Sequence, residues 1–194
     1  MNSLTNFGKD GKIHFCEIIG GRRTQEDRYL CTGANFDTYE EAQSFLKETF
    51  AYIESQTKGL DSGTCASILI ISKDGRLTTA HVGDSQVVIY LEKDGEITSE
   101  QLNQLHNCDN PDEVNRIRRN GGSVRWDSFG ELRVNRALSV TRAFGDARFR
   151  GPNNDHLTST PDIHTYNLST QILNGYKVWV EISCDGLRIK KVGG

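Results

Sequence analysis

The sequence has few prolines, no long apolar run and no C-x-x-C pair of cysteines. No stretch of its 194 residues approaches the roughly 20 apolar residues of a membrane span, so we expect no membrane association. The N-terminal segment also lacks the apolar core of a signal peptide, which predicts a cytoplasmic or nuclear location. The five cysteines show no metal-binding spacing, and the sequence therefore favours buried, reduced thiols.

An excess of basic residues is missing as well. The formal net charge is -3 and the pI is near 6.0, which argues against nucleic acid as the main partner because phosphate binding needs a basic face. Nine arginines are nevertheless crowded between residues 116 and 150, where they fit either a solvated face or recognition of phosphate and carboxylate groups. They are Arg116, Arg118, Arg119, Arg125, Arg133, Arg136, Arg142, Arg148 and Arg150.

The length and the composition, 36% apolar and 25% charged, fit one globular domain spanning residues 1–194. The segment from Tyr39 to Gln56 predicts an amphipathic helix, since apolar residues recur at spacings of three and four, and Thr38 is a suitable N-cap. Asn110-Pro111 predicts the start of a second helix, which Gly121-Gly122 would end. Strands outnumber helices, and tight turns join them, which predicts an α+β fold of mainly antiparallel sheets.

The clearest pair of strand segments lies between Leu77 and Leu91. β-branched and aromatic residues occur on both sides of Gly83-Asp84-Ser85, which has turn chemistry. This pattern predicts a β-hairpin. Similar turns at Lys73-Asp74-Gly75 and at Glu92 to Gly95 predict two further hairpins.

Candidate site carboxylates follow two predicted strands. Glu26 and Asp27 come after the apolar run Ile13 to Ile19, and Asp185 comes directly after the final strand, Lys177 to Ser183, and Cys184. Carboxylates in loops beyond strand ends can reach a shared site, although an isolated Glu-Asp pair also has many purely structural roles.

Seven short motifs follow one another in a fixed order along the chain. They are Arg22 with Glu26-Asp27, Ser62-Gly63-Thr64, His81-Val82-Gly83-Asp84-Ser85, Arg116-Ile117 with Gly121-Gly122-Ser123-Val124, Leu138 to Asp146, Pro161-Asp162-Ile163, and Ser183-Cys184-Asp185-Gly186. Together they resemble the metal-dependent protein phosphatases of type 2C. The similarity covers nearly the whole chain, roughly from Phe15 to Leu187.

The resemblance implies a four-layer α-β-β-α sandwich that hydrolyses phosphoserine and phosphothreonine with two Mg²⁺ or Mn²⁺ ions. It also implies roles for four residues. Arg22 would clamp the phosphate, Glu26 and Asp27 would hold metal or metal-bound water, and Asp185 would be the metal ligand after the final strand. Hard divalent cations prefer such carboxylate oxygens.

The sequence departs from the family pattern in three places. The Asp-Gly-His-Gly-Gly motif, whose aspartate would bridge both metals, is absent, and Asp37 has no Gly-His after it. Leu105 stands where an aspartate of an additional metal site is expected, and no carboxylate follows Asp185. Three acids are few for two dications, so we expect binding of Mg²⁺ or Mn²⁺ to be weak or lost.

These departures predict a degenerate member of the family that is C-terminally incomplete. We expect a catalytically impaired pseudophosphatase that binds a protein partner or a phosphopeptide, with the arginine-rich segment as one possible surface. The alternative is an active Mg²⁺- or Mn²⁺-dependent serine/threonine phosphatase with a reduced metal site. Missing closing strands would leave sheet edges unpaired, which predicts a dimer or a partner that completes the sheet.

Overall fold

The structure is a computed structural model that describes residues 2–7, 11–15, 35–151, 153 and 155–184. The strands are β1 (Asn2–Phe7), β2 (Gly11–Phe15), β3 (Gly63–Thr64), β4 (Ala66–Ile71), β5 (Arg76–Val82), β6 (Gln86–Lys93), β7 (Glu96–Gln101), β8 (Val124–Trp126), β9 (Leu132–Val134), β10 (Phe144–Gly145), β11 (Asp162–Asn167) and β12 (Lys177–Ser183). The helices are α1 (Tyr39–Thr57), α2 (Pro111–Arg119), α3 (Leu168–Leu173) and a 3-10 turn, Ala147–Phe149.

Both predicted helices form where local chemistry places them. The Thr38 hydroxyl accepts a hydrogen bond from the Glu41 amide at 3.4 Å and caps α1. Asn110 caps α2 by accepting from the Asp112 amide at 3.0 Å, and Pro111 takes the first helical position, where no amide hydrogen is needed.

Two three-stranded antiparallel sheets form the centre of the described structure. One sheet has the order β11-β5-β4 and the other has the order β12-β6-β7. Apolar side chains from β5, β6 and β12 pack between them, including Leu77, Val87, Ile89 and Val180. The expected mixture of helices and antiparallel sheets is confirmed, and the sandwich core lies between the two sheets.

Helix α1 covers the outer face of the β11-β5-β4 sheet. Its buried residues, Ala42, Leu46 and Phe50, recur every four positions and pack against Ala80 and Val82 of β5. The described residues therefore contribute three layers, one helical and two of sheet.

The predicted hairpin at Gly83-Asp84-Ser85 is wrong. Strand β5 pairs with β4 and β11, whereas β6 pairs with β7 and β12, so this turn carries the chain from one sheet to the other. The backbone of Gly83 bonds His106 instead of a facing strand: its amide donates to His106 Nδ1 at 3.2 Å and its carbonyl accepts from the His106 amide at 3.0 Å. The hairpins predicted at Lys73-Asp74-Gly75 and at Glu92 to Gly95 are confirmed as β4-β5 and β6-β7.

A smaller apolar cluster lies beside the sandwich. Helix α2 packs Val114 and Ile117 against Val124 of β8 and Val134 of β9, and Cys108 completes the cluster. Strands β8 and β9 form an antiparallel hairpin, which we call the arginine hairpin because Arg125 and Arg133 lie opposite each other in it. In the described part of the chain, no helix has the length and apolar character needed to cross a membrane.

Candidate functional site

The four residues that the sequence singled out for phosphate and metal binding lie outside the described residues. They are Arg22, Glu26, Asp27 and Asp185. Whether they come together in space therefore stays a prediction. What the structure does give is the position of the strand that precedes Asp185 in the chain.

Strand β12 ends beside the turn that links the two sheets. Its last residue, Ser183, pairs with Gln86, the first residue of β6, and Gln86 follows Gly83-Asp84-Ser85 directly. We call this part of the sandwich the Gly83 end. Cys65 Sγ also approaches Asp84 Oδ1 there, at 3.9 Å.

Asp37 lies at the opposite end of the sandwich. Its carboxylate pairs with Lys73 Nζ at 2.6 Å, and the Lys73 amide donates to the Phe36 carbonyl. Lys73 belongs to the turn before β5, whereas Gly83 follows β5, and seven strand residues span roughly 20 Å. Asp37 is therefore too far from the Gly83 end to supply the missing bridging carboxylate.

A buried polar network, formed by Glu113, Arg142, Asp162, His106 and His81, extends from α2 to the Gly83 end. Arg142 is its centre. The guanidinium donates to both oxygens of Glu113, at 2.7 and 3.1 Å, and to Asp162 Oδ1 at 2.7 Å. Such a fork holds two carboxylates in fixed positions.

Glu113 is the most deeply buried acid of this network. Its Oε2 also accepts hydrogen bonds from Arg116 at 2.9 Å and from the Thr141 hydroxyl at 2.8 Å. Burial by itself would raise the pKa of Glu113, but the hydrogen bonds from Arg142 and Arg116 outweigh that effect and lower it to about 2. Glu113 is thus a permanent anion that positions Arg142.

Asp162 connects the arginine to a fully buried histidine. His106 Nδ1 accepts from the Gly83 amide, so its Nε2 carries the hydrogen and donates to Asp162 Oδ2 at 3.0 Å. This bond and the neighbouring Arg142 hold the pKa of Asp162 well below its usual range. The Asp162 side chain is 48% exposed, so the network reaches the surface at this point.

His81 stacks on His106, with ring centroids 4.4 Å apart and planes within 9°. Its Nε2 donates to the Gln104 carbonyl at 2.8 Å, while its buried Nδ1 has no hydrogen-bond partner within the described ranges. Desolvation lowers the pKa of His81, because a protonated ring here would place an unpaired charge in the core.

The side chains of His81, His106 and Asp162 are close enough to be considered as a metal site, with candidate ligand atoms within 4.8 Å of one another. Their hydrogen bonding does not fit one. His106 Nε2 carries a hydrogen, the lone pairs of two stacked rings run parallel and do not converge on one point, and Arg142 already occupies Asp162. A cation would also lie next to the Arg142 guanidinium. These three residues are part of the buried polar network and do not form a metal centre.

The sequence motifs contained three of the five members of the buried polar network without revealing their contacts. Arg142, Asp162 and His81 each belong to a motif, and Glu113 lies one helical turn before Arg116. Only the place of Glu113 in the first turn of a predicted helix, three residues before an arginine, could have signalled an ion pair. The long-range partners come from pairing of β11 with β5, which no local pattern specifies.

The described residues form an α+β domain in which a helix flanks an antiparallel two-sheet sandwich. The family model described as Protein phosphatase 2C matches residues 11–188. The chain therefore belongs to the protein phosphatase 2C family.

Individual relatives align over different shares of their own length. Protein phosphatase 1E of Mus musculus is 34% identical over 129 residues, which cover 66% of this chain and 15% of the relative. Probable protein phosphatase 2C 44 of Oryza sativa subsp. japonica is 31% identical over 149 residues, which cover 76% of this chain and 42% of the relative. The chain thus spans less than half the length of these two relatives.

Protein phosphatase 2C 1 of Paramecium tetraurelia is 30% identical over 229 positions, which cover 96% of this chain and 70% of that protein. The alignment exceeds the 194 residues of this chain, so at least 35 of its positions have no counterpart here. Among solved structures, serine-threonine phosphatase 2C from Toxoplasma gondii is similar with a TM-score of 0.48 and 23% identity, covering 69% of this chain and 45% of that one.

Proposed function

We propose that this chain is a pseudophosphatase of the protein phosphatase 2C family. In this proposal its catalytic power is impaired, and it acts in the cytoplasm or nucleus by binding a protein partner or a phosphorylated segment. Members of the family in general depend on Mg²⁺ or Mn²⁺. The proposal is that this chain binds such ions weakly or not at all.

The position of Asp37 carries the proposal. With the bridging aspartate missing from the sequence, only Glu26, Asp27 and Asp185 remain as predicted ligands, and Asp37 lies roughly 20 Å from the Gly83 end, at the other end of β5. Two dications need several anionic oxygens to offset their charge, and three acids without a bridging carboxylate leave a weak site. The unmatched positions of the Paramecium relative support a loss of segments in this chain.

The alternative is an active metal-dependent serine/threonine phosphatase with a reduced metal site. Two observations favour it. Arg22, Glu26, Asp27 and Asp185 are all present in the sequence, and within the buried polar network Arg142 donates hydrogen bonds to both Glu113 and Asp162. A lone ion held by these acids would still polarise a bound water.

Metal titration by calorimetry separates the two proposals. For a pseudophosphatase we expect no saturable heat with Mg²⁺ or Mn²⁺ at millimolar concentration, because three acids cannot neutralise a metal pair. Hydrolysis of a generic phosphate ester is measured in parallel with added Mn²⁺. The matched variant Asp185→Asn removes the predicted ligand while keeping its shape.

Saturable binding together with Mn²⁺-dependent hydrolysis that Asp185→Asn abolishes would overturn the pseudophosphatase proposal. Hydrolysis that is equal in both proteins would point to a contaminating enzyme. Sedimentation velocity on the same sample tests the further proposal that a second copy of the chain pairs with a sheet edge. A strictly monomeric, folded species would count against that part of the proposal.

A further inference from the structure

The turn of the arginine hairpin is held in one conformation by a single carboxylate. Asp127 Oδ1 accepts from the amides of Phe129 and Glu131 at 2.8 and 2.9 Å, and Oδ2 accepts from Arg133 Nε at 2.6 Å. The backbone bonds from Glu131 and Phe129, with Arg133, lower the pKa of Asp127, so it is charged throughout the physiological range. The tip is therefore preorganised.

This ordered tip presents two large aromatic side chains to solvent. Phe129 is 88% exposed and Trp126 is 65% exposed. With Asp127, Arg133 and Arg136 they line an open groove with a volume of about 670 Å³, which we call the tip surface. Exposed aromatics beside arginine on a rigid support have the composition of interaction hot spots.

The tip surface also carries one guanidinium without an acidic partner. Its charged lining residues are Asp127, Arg133 and Arg136. Arg133 is paired with Asp127 and Glu131, but within the described residues no carboxylate pairs with Arg136. An anionic partner would complement this charge.

We propose that the tip surface binds a phosphorylated segment of a partner protein that carries an aromatic side chain a few residues from its phosphate. The aromatic ring would pack against Trp126 and Phe129, and the phosphate would meet the guanidinium group of Arg136. This inference rests on the proposed binding function and assigns it a location and a ligand chemistry.

The test uses fluorescein-labelled nine-residue peptides of glycine and serine with one phosphoserine and one phenylalanine, placed one to four residues apart. Binding is followed by fluorescence polarisation in EDTA, which suppresses any metal-dependent hydrolysis. Three counterparts replace phenylalanine by alanine, phosphoserine by serine, or phosphoserine by glutamate. We expect the peptide with both features to bind at least tenfold tighter than the alanine or serine counterpart.

Two variants and two matched controls locate the site. Phe129→Ser removes the exposed ring, and Leu173→Ser removes a side chain that is equally exposed, at 86%, on α3. Arg136→Gln removes one positive charge from the tip surface. Its control, Lys58→Gln, removes one positive charge at the C-terminal end of α1. We expect at least tenfold weaker binding for the two tip variants and unchanged binding for the controls.

The specificity of each loss distinguishes docking from general damage. Phe129→Ser should abolish the preference for phenylalanine, and Arg136→Gln should abolish the preference for phosphoserine. The proposal is overturned if no peptide binds, if Leu173→Ser weakens binding as much as Phe129→Ser, or if the glutamate peptide binds as tightly as the phosphopeptide. If the peptide binds equally tightly to all four variants, the proposed binding function stands but the tip surface is not the binding site. Mn²⁺-dependent turnover would reject the pseudophosphatase and leave the tip surface standing.

Discussion

At the scale of single residues, Glu113 and Arg142 form an ion pair whose side chains are only 4% and 14% exposed. Both side chains are withdrawn from water, and each satisfies the other through two hydrogen bonds. Removing one member of a buried pair costs far more than the pair itself contributes, because the remaining charge is left without compensation.

We predict that Glu113→Gln lowers the free energy of unfolding by about 3 kcal/mol, since Arg142 and Arg116 would lose their anionic partner inside the fold. The control is Glu131→Gln, the same chemical change at an exposed ion pair with Arg133, for which we expect at most about 1 kcal/mol. Urea unfolding of both variants provides the measurement. Equal losses would show that Glu113 is no more important than a surface acid.

At the scale of elements, the turn at Gly83 decides the architecture. It carries the chain between sheets, and it is packed so closely that a Cβ added at Gly83 would overlap the side chain of Cys65. Its backbone also has a φ of 105°, in the region that favours glycine.

We predict that Gly83→Ala destabilises the protein by at least about 2 kcal/mol more than Gly95→Ala, because only the former adds a steric overlap. Gly95 is the matched control, since its φ is 85° and no atom lies within 4 Å of an added Cβ. For Gly95→Ala we expect about 1 kcal/mol from backbone strain alone. Thermal and urea unfolding measure both, and similar values would mean that the contact with Cys65 relaxes at little cost.

The sequence predicted elements better than it predicted their partners. Thr38 and Asn110 correctly predicted where the two helices begin, because helix capping is a local interaction. The hairpin predicted at Gly83-Asp84-Ser85 was wrong, because a three-residue turn between two apolar strands has the same composition whether the strands pair with each other or belong to different sheets. The contacts of the buried polar network could not be predicted from the sequence either, because His106 and Asp162 meet only after β11 pairs with β5.

At the scale of the whole molecule, three groups of the buried polar network favour the folded state in the same pH direction. The pKa values of His81, Glu113 and Asp162 are all lowered in the folded protein. A group with a lowered pKa binds fewer protons when folded than when unfolded. The folded state is therefore favoured above the unfolded pKa values and loses that advantage as the pH falls.

We predict that the free energy of unfolding starts to decrease as the pH falls below about 6.5, where an unfolded histidine takes up its proton but folded His81 does not. Below about 4.5 a second, steeper decrease follows from Glu113 and Asp162. His81→Gln retains an N–H for the Gln104 carbonyl and should flatten the upper phase, whose slope is at most about 1.4 kcal/mol per pH unit. The control, His164→Gln, changes an exposed histidine of β11 and should leave the phase intact. An unchanged profile in His81→Gln would assign the upper phase to other groups.

Because the chain passes from one sheet to the other at Gly83, this turn also determines the order in which the strands can pair during folding. The hairpins β4-β5 and β6-β7 form from neighbouring residues, but His81 pairs with Asp162 and Gln86 pairs with Ser183, far along the chain. Contacts of such long sequence separation make folding slow. During synthesis, β5 and β6 therefore each keep an unpaired edge until β11 and then β12 have been made, and we expect the nascent chain to be prone to aggregation in that interval.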